Sequence, residues 1–180
     1  MAIVEWRKES TSISKDNIKG RVLFMQSMPD HPVSVSVLIE GLPDGFHGFH
    51  IHEKSLDEMD GTVEECCDAL GGHFNVGERW SLENQAGTKH GKYESEERHN
   101  GDLCNNVYSY NGLCERYFMD NKISLYKTDK KYIIGRSIVI HEDKDDMGLP
   151  EYSNSKKNID KFITGNAGKR IACGNIIEKI

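Results

Sequence analysis

The sequence predicts an all-β protein, an antiparallel sandwich or barrel, and three observations lead to that class. Residues 33–40 alternate between apolar and polar side chains, broken only by Leu38, which is the period of a strand with one face in water. Short stretches rich in Gly, Pro, Asp and Ser separate the apolar runs. No long stretch keeps a helical period, and many short strands between turns are typical of sandwiches and barrels.

Taken in order along the chain, the first 50 residues are predicted to form mostly strands. Residues 21–26 (RVLFMQ) are the expected hairpin partner of the strand at 33–40, across a turn-rich segment. A second turn, LPDG, then leads into the next strand. The later strands are predicted at residues 46–53, 122–126, 132–141 and 171–177.

Two long loops interrupt this pattern, at residues 54–101 and 142–169. A loop of that length is uncommon in a compact domain unless something ties it down, and metal ligands can do so. A chain of 180 residues can bury a core of its own, so we expect one domain over residues 1–180.

The charge and the apolar runs argue against two classes of partner. The chain carries 23 Lys and Arg against 29 Asp and Glu, so the basic surplus typical of a nucleic-acid-binding protein is missing. No apolar run approaches the roughly 20 residues that span a bilayer, so no membrane partner is expected. The charges of Glu5, Arg7, Lys8 and Glu9 break up any signal peptide, which predicts a cytoplasmic location.

Histidines cluster in the first long loop and in the strand before it. His50 and His52 are two residues apart, so on a strand both face one side and can bind one metal ion, although this spacing alone is weak evidence. His47 has the opposite parity and is expected to hydrogen-bond backbone behind that strand. Three imidazoles and one carboxylate are a ligand set that suits tetrahedral zinc, and His73, His90, His99 and Asp102 could supply it.

A polar loop that happens to be rich in histidine is the alternative to this zinc set. His141, which ends a predicted strand, would add a fourth imidazole to His50, His52 and His73. Four nitrogens suit Cu(II), but spacing alone does not show that these residues meet.

Four motifs together resemble the copper/zinc superoxide dismutase family, in the family's order and over essentially the whole chain. They are GFHGFHIHE (45–53), KHGKYESEERHNGDL (89–103), IIGRSIVIHEDKDD (133–146) and GNAGKRIACG (165–174). The resemblance implies an eight-stranded antiparallel Greek-key β-barrel or sandwich with two long loops, one metal-binding and one electrostatic. The frequent Lys, Asn and Ile are similar to the residue usage of copies carried by large DNA viruses.

The resemblance also implies a role for individual residues. Copper would be held by His50, His52, His73 and His141, and zinc by His73, His90, His99 and Asp102. His73 would bridge the two metals and act as a general acid, and Arg170 would attract the substrate anion. Asp145 would join the free nitrogens of His50 and His90. Thr164 and Lys161 would line the substrate channel, and Cys67 and Cys173 would form a disulfide, leaving Cys66, Cys104 and Cys114.

As a member of this family the protein would convert superoxide to dioxygen and hydrogen peroxide with one copper and one zinc per subunit. The resemblance further implies a homodimer, and it suggests a copper chaperone as the partner that delivers copper to the protein. Residues 142–151 carry a net charge of −4 and residues 152–170 a net charge of +4, which predicts a locally positive path that ends at Arg170.

The sequence departs from the family pattern in several places. Ser55 stands where the family usually has Gly, Ile163 stands where a lysine often guides superoxide, and the loops that carry ligands are longer. Glu178 and Lys179 are expected near a surface that is apolar in the family's dimer. Two other functions stay open at this point: a metal carrier or decoy without high activity, and a zinc-stapled barrel without copper.

Overall fold

The computed structural model describes residues 1–6, 12–15, 17–56, 60–149 and 162–179, which form two antiparallel five-stranded sheets. The first sheet has the order β10-β1-β3-β4-β7 and the second the order β2-β9-β8-β5-β6. The strands are β1 Ala2–Trp6, β2 Ser12–Ser14, β3 Lys19–Met25, β4 Val33–Glu40, β5 Gly45–His52, β6 Asn106–Ser109, β7 Leu113–Asp120, β8 Ser137–His141, β9 Arg170–Asn175 and β10 Ile177–Glu178.

The predicted all-β class is therefore confirmed, with ten strands in the described residues instead of the eight expected. Two of the ten, β2 and β10, are edge strands of three and two residues. Neighbours that are far apart in the chain, such as β4 with β7 and β5 with β8, show that the chain crosses between the sheets.

The core lies between the two sheets and follows the alternation seen in the sequence. In β4 the side chains of Val33, Val35, Val37 and Ile39 are buried, while the residues between them are partly exposed. They pack with apolar side chains of both sheets, among them Phe24 of β3, Phe49 of β5 and Ile138 of β8. The period of two thus decided which face of the strand turned inward.

Two predicted strands differ from the structure. Residues 122–126 are not a strand, because the Gln26 side chain accepts a hydrogen bond from the Leu125 backbone at 2.7 Å; only Ser124 makes an isolated bridge, to Tyr132. The strand predicted at 132–141 is formed only from Ser137 onward. Strands β6 and β7 were not predicted, since exposed Tyr, Arg and Glu side chains obscure their alternation.

The first long loop contains one helix, α1 (Val63–Asp68), which the sequence analysis also missed. Thr62 caps it: its hydroxyl accepts from the Glu65 backbone, and the Glu65 carboxylate accepts from the Thr62 backbone. Cys66 and Cys67 lie on its buried side, over a small apolar cluster with Val139. The predicted disulfide is confirmed, because Cys67 is bonded to Cys173 of β9.

Both long loops are fastened to strand β5 of the second sheet by backbone hydrogen bonds. The Phe74 backbone donates to Ile51 O of β5 at 2.8 Å, and the Gly48 backbone donates to Asp143 O at 2.9 Å. His90 N donates to Phe162 O at 2.8 Å, which joins the two loops to each other. In the described part of the chain, no helix has the length and apolar character needed to cross a membrane.

Candidate metal centre

Strand parity aims three histidines at the same place on the outer face of the second sheet. In β5, Phe49 and Ile51 enter the core, so His50 and His52 point outward beneath the loops. In β8, Ile138 and Ile140 enter the core, which turns His141 to the same outer face.

An irregularity in the sheet places Arg170 beside this group. The register between β8 and β9 shifts at Ile140 and His141, so His141 pairs with Arg170 while Ile140 pairs with Ala172. A bulge of this kind re-aims the side chains next to it. His47 has the opposite parity, as expected, and its ring nitrogens lie 2.9 Å from His141 O and 2.8 Å from Pro43 O.

The first group of histidines presents four buried ring nitrogens that have no hydrogen-bond partner among the described residues. They come from β5, the first long loop and β8, yet they lie within 4.8 Å of one another: His50 Nδ1, His52 Nε2, His73 Nε2 and His141 Nε2. A buried polar atom without a partner costs about 1–3 kcal/mol, so four of them together call for an occupant. A cation that accepts four imidazole lone pairs satisfies all four, and Cu(II) has that preference.

The other ring nitrogen of each outward-facing histidine is held by an acceptor. His52 Nδ1 lies 2.9 Å from Gly71 O, His141 Nδ1 lies 3.2 Å from Gly168 O, and His50 Nε2 lies 2.5 Å from Asp145 Oδ2. An acceptor at one nitrogen keeps the proton there and leaves the lone pair on the other. The tautomers are thus set for metal binding.

Burial reinforces this state. It lowers the pKa of His52 and of His73 well below the usual value, and it lowers the pKa of His141 to about 3, with neighbouring histidines adding to each effect. Neutral imidazole is the form that binds a metal ion.

The second group closes around one carboxylate oxygen. Asp102 Oδ1 lies 2.8 Å from His73 Nδ1, 2.9 Å from His90 Nδ1 and 3.2 Å from His99 Nδ1, and all four residues are buried. Ligands about 2.0 Å from a tetrahedral ion lie roughly 3.3 Å from each other, so this spacing fits zinc. Asp102 Oδ2 is fixed by the backbone N–H groups of Gly91 and His99.

Two residues link the groups. His73 turns Nδ1 to the second group and Nε2 to the first. Asp145 accepts from His50 through Oδ2 at 2.5 Å and lies 2.8 Å from His90 Nε2 through Oδ1. The nearby imidazoles lower the pKa of Asp145 despite its burial, so this carboxylate is ionised.

Arg170 is partly buried at the rim of the first group. Its Nη1 donates to Cys67 O at 2.6 Å and its Nη2 to Gly71 O at 2.7 Å. Because Gly71 O also holds His52, the guanidinium and a predicted copper ligand share one carbonyl. Arg170 thus lies beside His52, and its predicted role in attracting an anion stays a prediction.

For Thr164 and Lys161, the two predicted channel residues, the structure gives less information about the predicted role. Thr164 is partly buried and precedes Gly165, whose backbone packs against Asp145 and His90. Lys161 lies outside the described residues. The channel roles of both residues stay predictions.

Sequence reasoning missed some residues around the site. Asn106 accepts from the Asp145 backbone at 2.8 Å and donates to Asp145 O at 3.0 Å, which fixes the loop that carries this carboxylate. Asp68, at the end of α1, lies 3.4 Å from Arg170 Nε. The Thr62-x-x-Glu65 pattern, an ordinary helix-start signal, could have revealed α1 and with it Asp68.

Comparisons with known proteins agree with this geometry. A family model described as copper/zinc superoxide dismutase matches residues 18–176. The chain is 40% identical over 166 residues to an extracellular Cu-Zn superoxide dismutase of Drosophila melanogaster, covering 91% of this chain and 79% of that one.

Two viral relatives have names that propose a Cu-Zn superoxide dismutase. The one from Autographa californica nuclear polyhedrosis virus is 38% identical over 165 residues, or 91% of this chain and 94% of the relative. The one from Orgyia pseudotsugata multicapsid polyhedrosis virus is 39% identical over 159 residues, or 87% and 89%. With the family model over most of the chain and relatives of this similarity, the chain belongs to the copper/zinc superoxide dismutase family of oxidoreductases.

Proposed function

We propose that this protein converts superoxide to dioxygen and hydrogen peroxide. Copper would be held by His50, His52, His73 and His141, and zinc by His73, His90, His99 and Asp102. The observation that carries the proposal is the set of four buried ring nitrogens that find no hydrogen-bond partner in the described part of the chain, next to a guanidinium. Copper, when bound, supplies the one-electron oxidation and reduction of superoxide.

The chain's own residues bind, orient and supply a proton. Arg170 is a permanent cation whose planar guanidinium is fixed in orientation by two carbonyl groups. This suits it to attract and orient a small anion. His73 keeps Nδ1 in the second group and can hold a proton at Nε2, the atom that faces the first group. A proton at that atom is within the site where peroxide is formed, so His73 is the proposed general acid.

The direct test measures metal content and superoxide consumption on one sample loaded with both metals. We expect activity that falls as ionic strength rises, because charges guide the anion. Arg170→Ala should lower kcat/KM by about tenfold and weaken the salt dependence, since local charge changes on-rates by 10-fold or more. Arg116→Ala, which removes an exposed arginine from β7 of the other sheet, is the matched control.

Three outcomes separate the candidate functions. No activity with both metals confirmed bound contradicts the proposal. Copper bound without turnover favours the carrier or decoy, and zinc alone after expression with added copper favours the zinc-stapled barrel.

A cytosolic copper-chaperone partner is also proposed. Loading by copper salt alone, in the absence of any chaperone, would contradict the need for this partner.

We also propose a homodimer and a cytoplasmic location. The family resemblance supports the dimer, and an exposed Ile177 lies on edge strand β10, beside Glu178. Light scattering after size-exclusion chromatography tests it, with the mass of one chain as the contradicting result. Cell fractionation tests the location. The test is needed because Cys67 and Cys173 form a disulfide and the Drosophila relative is named as extracellular.

A further inference from the structure

One face of α1 is acidic and lies against the cations at the start of β9. Glu64 and Asp68 are four residues apart, so they share a side of the helix. Glu64 Oε2 lies 3.2 Å from Lys169 Nζ, and Asp68 Oδ1 lies 3.4 Å from Arg170 Nε. Lys169 and Arg170, the described cations at the end of the predicted positive path, are thus each paired with an acid from the other long loop.

The pairing uses up one edge of the Arg170 guanidinium. Nη1 donates to Cys67 O at 2.6 Å and more weakly to Asp68 O at 3.5 Å, Nη2 donates to Gly71 O at 2.7 Å, and Nε faces the Asp68 carboxylate. A guanidinium has five N–H groups, so the second hydrogen of Nη2 is left for an anion. An anion bound there lies about 7 Å from the Asp68 carboxylate and is repelled by it.

Helix stability does not account for Asp68. It is the last residue of α1, where the helix dipole favours a cation over an anion. Its side chain is 61% exposed, and ion pairs as exposed as this one contribute little to folding. The ion pair with Arg170 is therefore the interaction of Asp68 that calls for an explanation.

We propose that Asp68, assisted by Glu64, restrains the attraction of superoxide to the metal centre and so limits the rate of the reaction. This inference rests on the proposed function. Asp68 is a rate-setting residue that acts through Arg170, and Glu64 acts one step further out through Lys169. A carboxylate about 7 Å from the anion, screened by water, changes the anion's local concentration by about two- to threefold.

The test compares Asp68→Asn with the native protein, both loaded with copper and zinc. At low ionic strength kcat/KM should rise about two- to threefold, and the difference should fade as salt shortens the screening length to about 10 Å near 0.1 M. Glu64→Gln should give a smaller rise, and the double variant the largest. Glu115→Gln, an exposed acid on β7 of the other sheet, removes the same charge elsewhere and should change little.

A second measurement reports on the ion pair without using activity. Phenylglyoxal modifies accessible arginines, and peptide mass spectrometry gives the rate at Arg170. In Asp68→Asn this rate should rise, while the rate at Arg136, which donates to Glu53 O at 2.8 Å, stays the same as an internal reference. Thermal unfolding checks that each variant folds.

The outcomes are distinct. Equal effects of Asp68→Asn and Glu115→Gln would overturn the proposal. A fall in kcat/KM would also overturn it, because Asp68 would then be holding Arg170 in place. If the native protein with both metals bound is inactive, the proposed function fails, and the modification rates still decide whether Asp68 restrains Arg170.

Discussion

Asp145 is the residue at which the two histidine groups meet. It is fully buried, and its two oxygens lie 2.5 Å from His50 Nε2 and 2.8 Å from His90 Nε2. A carboxylate in this position fixes the tautomers of both imidazoles. One side chain therefore orients a predicted copper ligand and a predicted zinc ligand together.

Asp145→Asn should weaken metal binding by about 10- to 100-fold, because an amide neither carries the charge nor accepts from both rings through oxygen. Metal affinity is measured by competition with a chelator of known strength. Asp146→Asn is the matched control: Asp146 is also buried, but it accepts from the Gly148 backbone and from Asn166. Similar losses in the two variants would contradict the linking role.

The thiols away from the disulfide differ from ordinary cysteines. Burial raises the pKa of Cys104 to about 12 and that of Cys114 to about 11. At pH 8 the Cys104 thiolate is therefore about a thousandfold scarcer than in a thiol of ordinary pKa, and thiolate is the reactive form.

We expect iodoacetamide to modify Cys104 and Cys114 slowly at pH 8. Because the pKa is raised, the rate should keep climbing about tenfold for each pH unit from 8 to 10 and not level off near 9. Mass spectrometry of the two peptides measures it, and the same peptides in urea are the reference. A plateau near pH 9 in the folded protein would be inconsistent with the buried thiols.

At the scale of the element, residues 79–90 of the first long loop form a contact between the two long loops, called the brace below. Arg79 and Thr88 make a bridge, and the Trp80 backbone donates to Thr88 O at 2.7 Å. This places the Trp80 ring edge-on to Phe162 with centroids 5.4 Å apart, and Lys89 Nζ lies 4.8 Å from the Phe162 ring. The next residue, His90, is a predicted zinc ligand that donates its backbone N–H to Phe162 O.

Trp80→Ala should therefore weaken zinc binding by about two- to tenfold, the range expected for one aromatic pair. Chelator competition on the metal-free protein measures the affinity. The chain has two tryptophans, and Trp6 is buried with its indole N–H bonded to Cys173 O, so a fluorescence change on adding zinc should come from Trp80. Leu82→Ala, at an exposed position in the same turn, is the control, and an equal effect there would rule out the brace.

At the scale of the whole molecule, the disulfide ties the first long loop to the last part of the sheet. It joins residues 106 apart in the chain, and α1 packs with Cys173 and Val139 in one cluster. Cys67 is also the residue whose carbonyl holds Arg170. The disulfide thus supports the fold and the predicted substrate-attracting residue together.

Cys67→Ser should lower the free energy of unfolding of the metal-free protein by about 2–4 kcal/mol, because the unfolded chain regains the freedom of a long loop. Urea unfolding followed by circular dichroism measures the loss. Cys66→Ser, which changes the neighbouring buried free thiol, should cost less. Equal losses, or a Cys66–Cys173 bond found by peptide mapping of the native protein, would contradict the assignment.

Much of the architecture was predictable because it is local. The alternation in β4 fixed which face is buried, and the spacing of His50 and His52 fixed that both point to one side of β5. The four motifs were enough to identify the family. Where polar side chains cover a strand, as in β7, or where one side chain replaces a ladder partner, as Gln26 does for Leu125, the local pattern misled.

The sequence by itself determined the buried face of β4 and the His50–His52 pair, since each depends on spacings of a few residues, and its motifs implied the wider ligand set by resemblance. Tertiary structure alone decided that His141 lies opposite Arg170, because that depends on a bulge between two distant strands. Although the family resemblance implied that Asp145 joins His50 and His90, only the tertiary structure decided that α1 carries Asp68 to Arg170. Such contacts arise when loops pack on a finished sheet, and spacing along the chain carries no record of that packing.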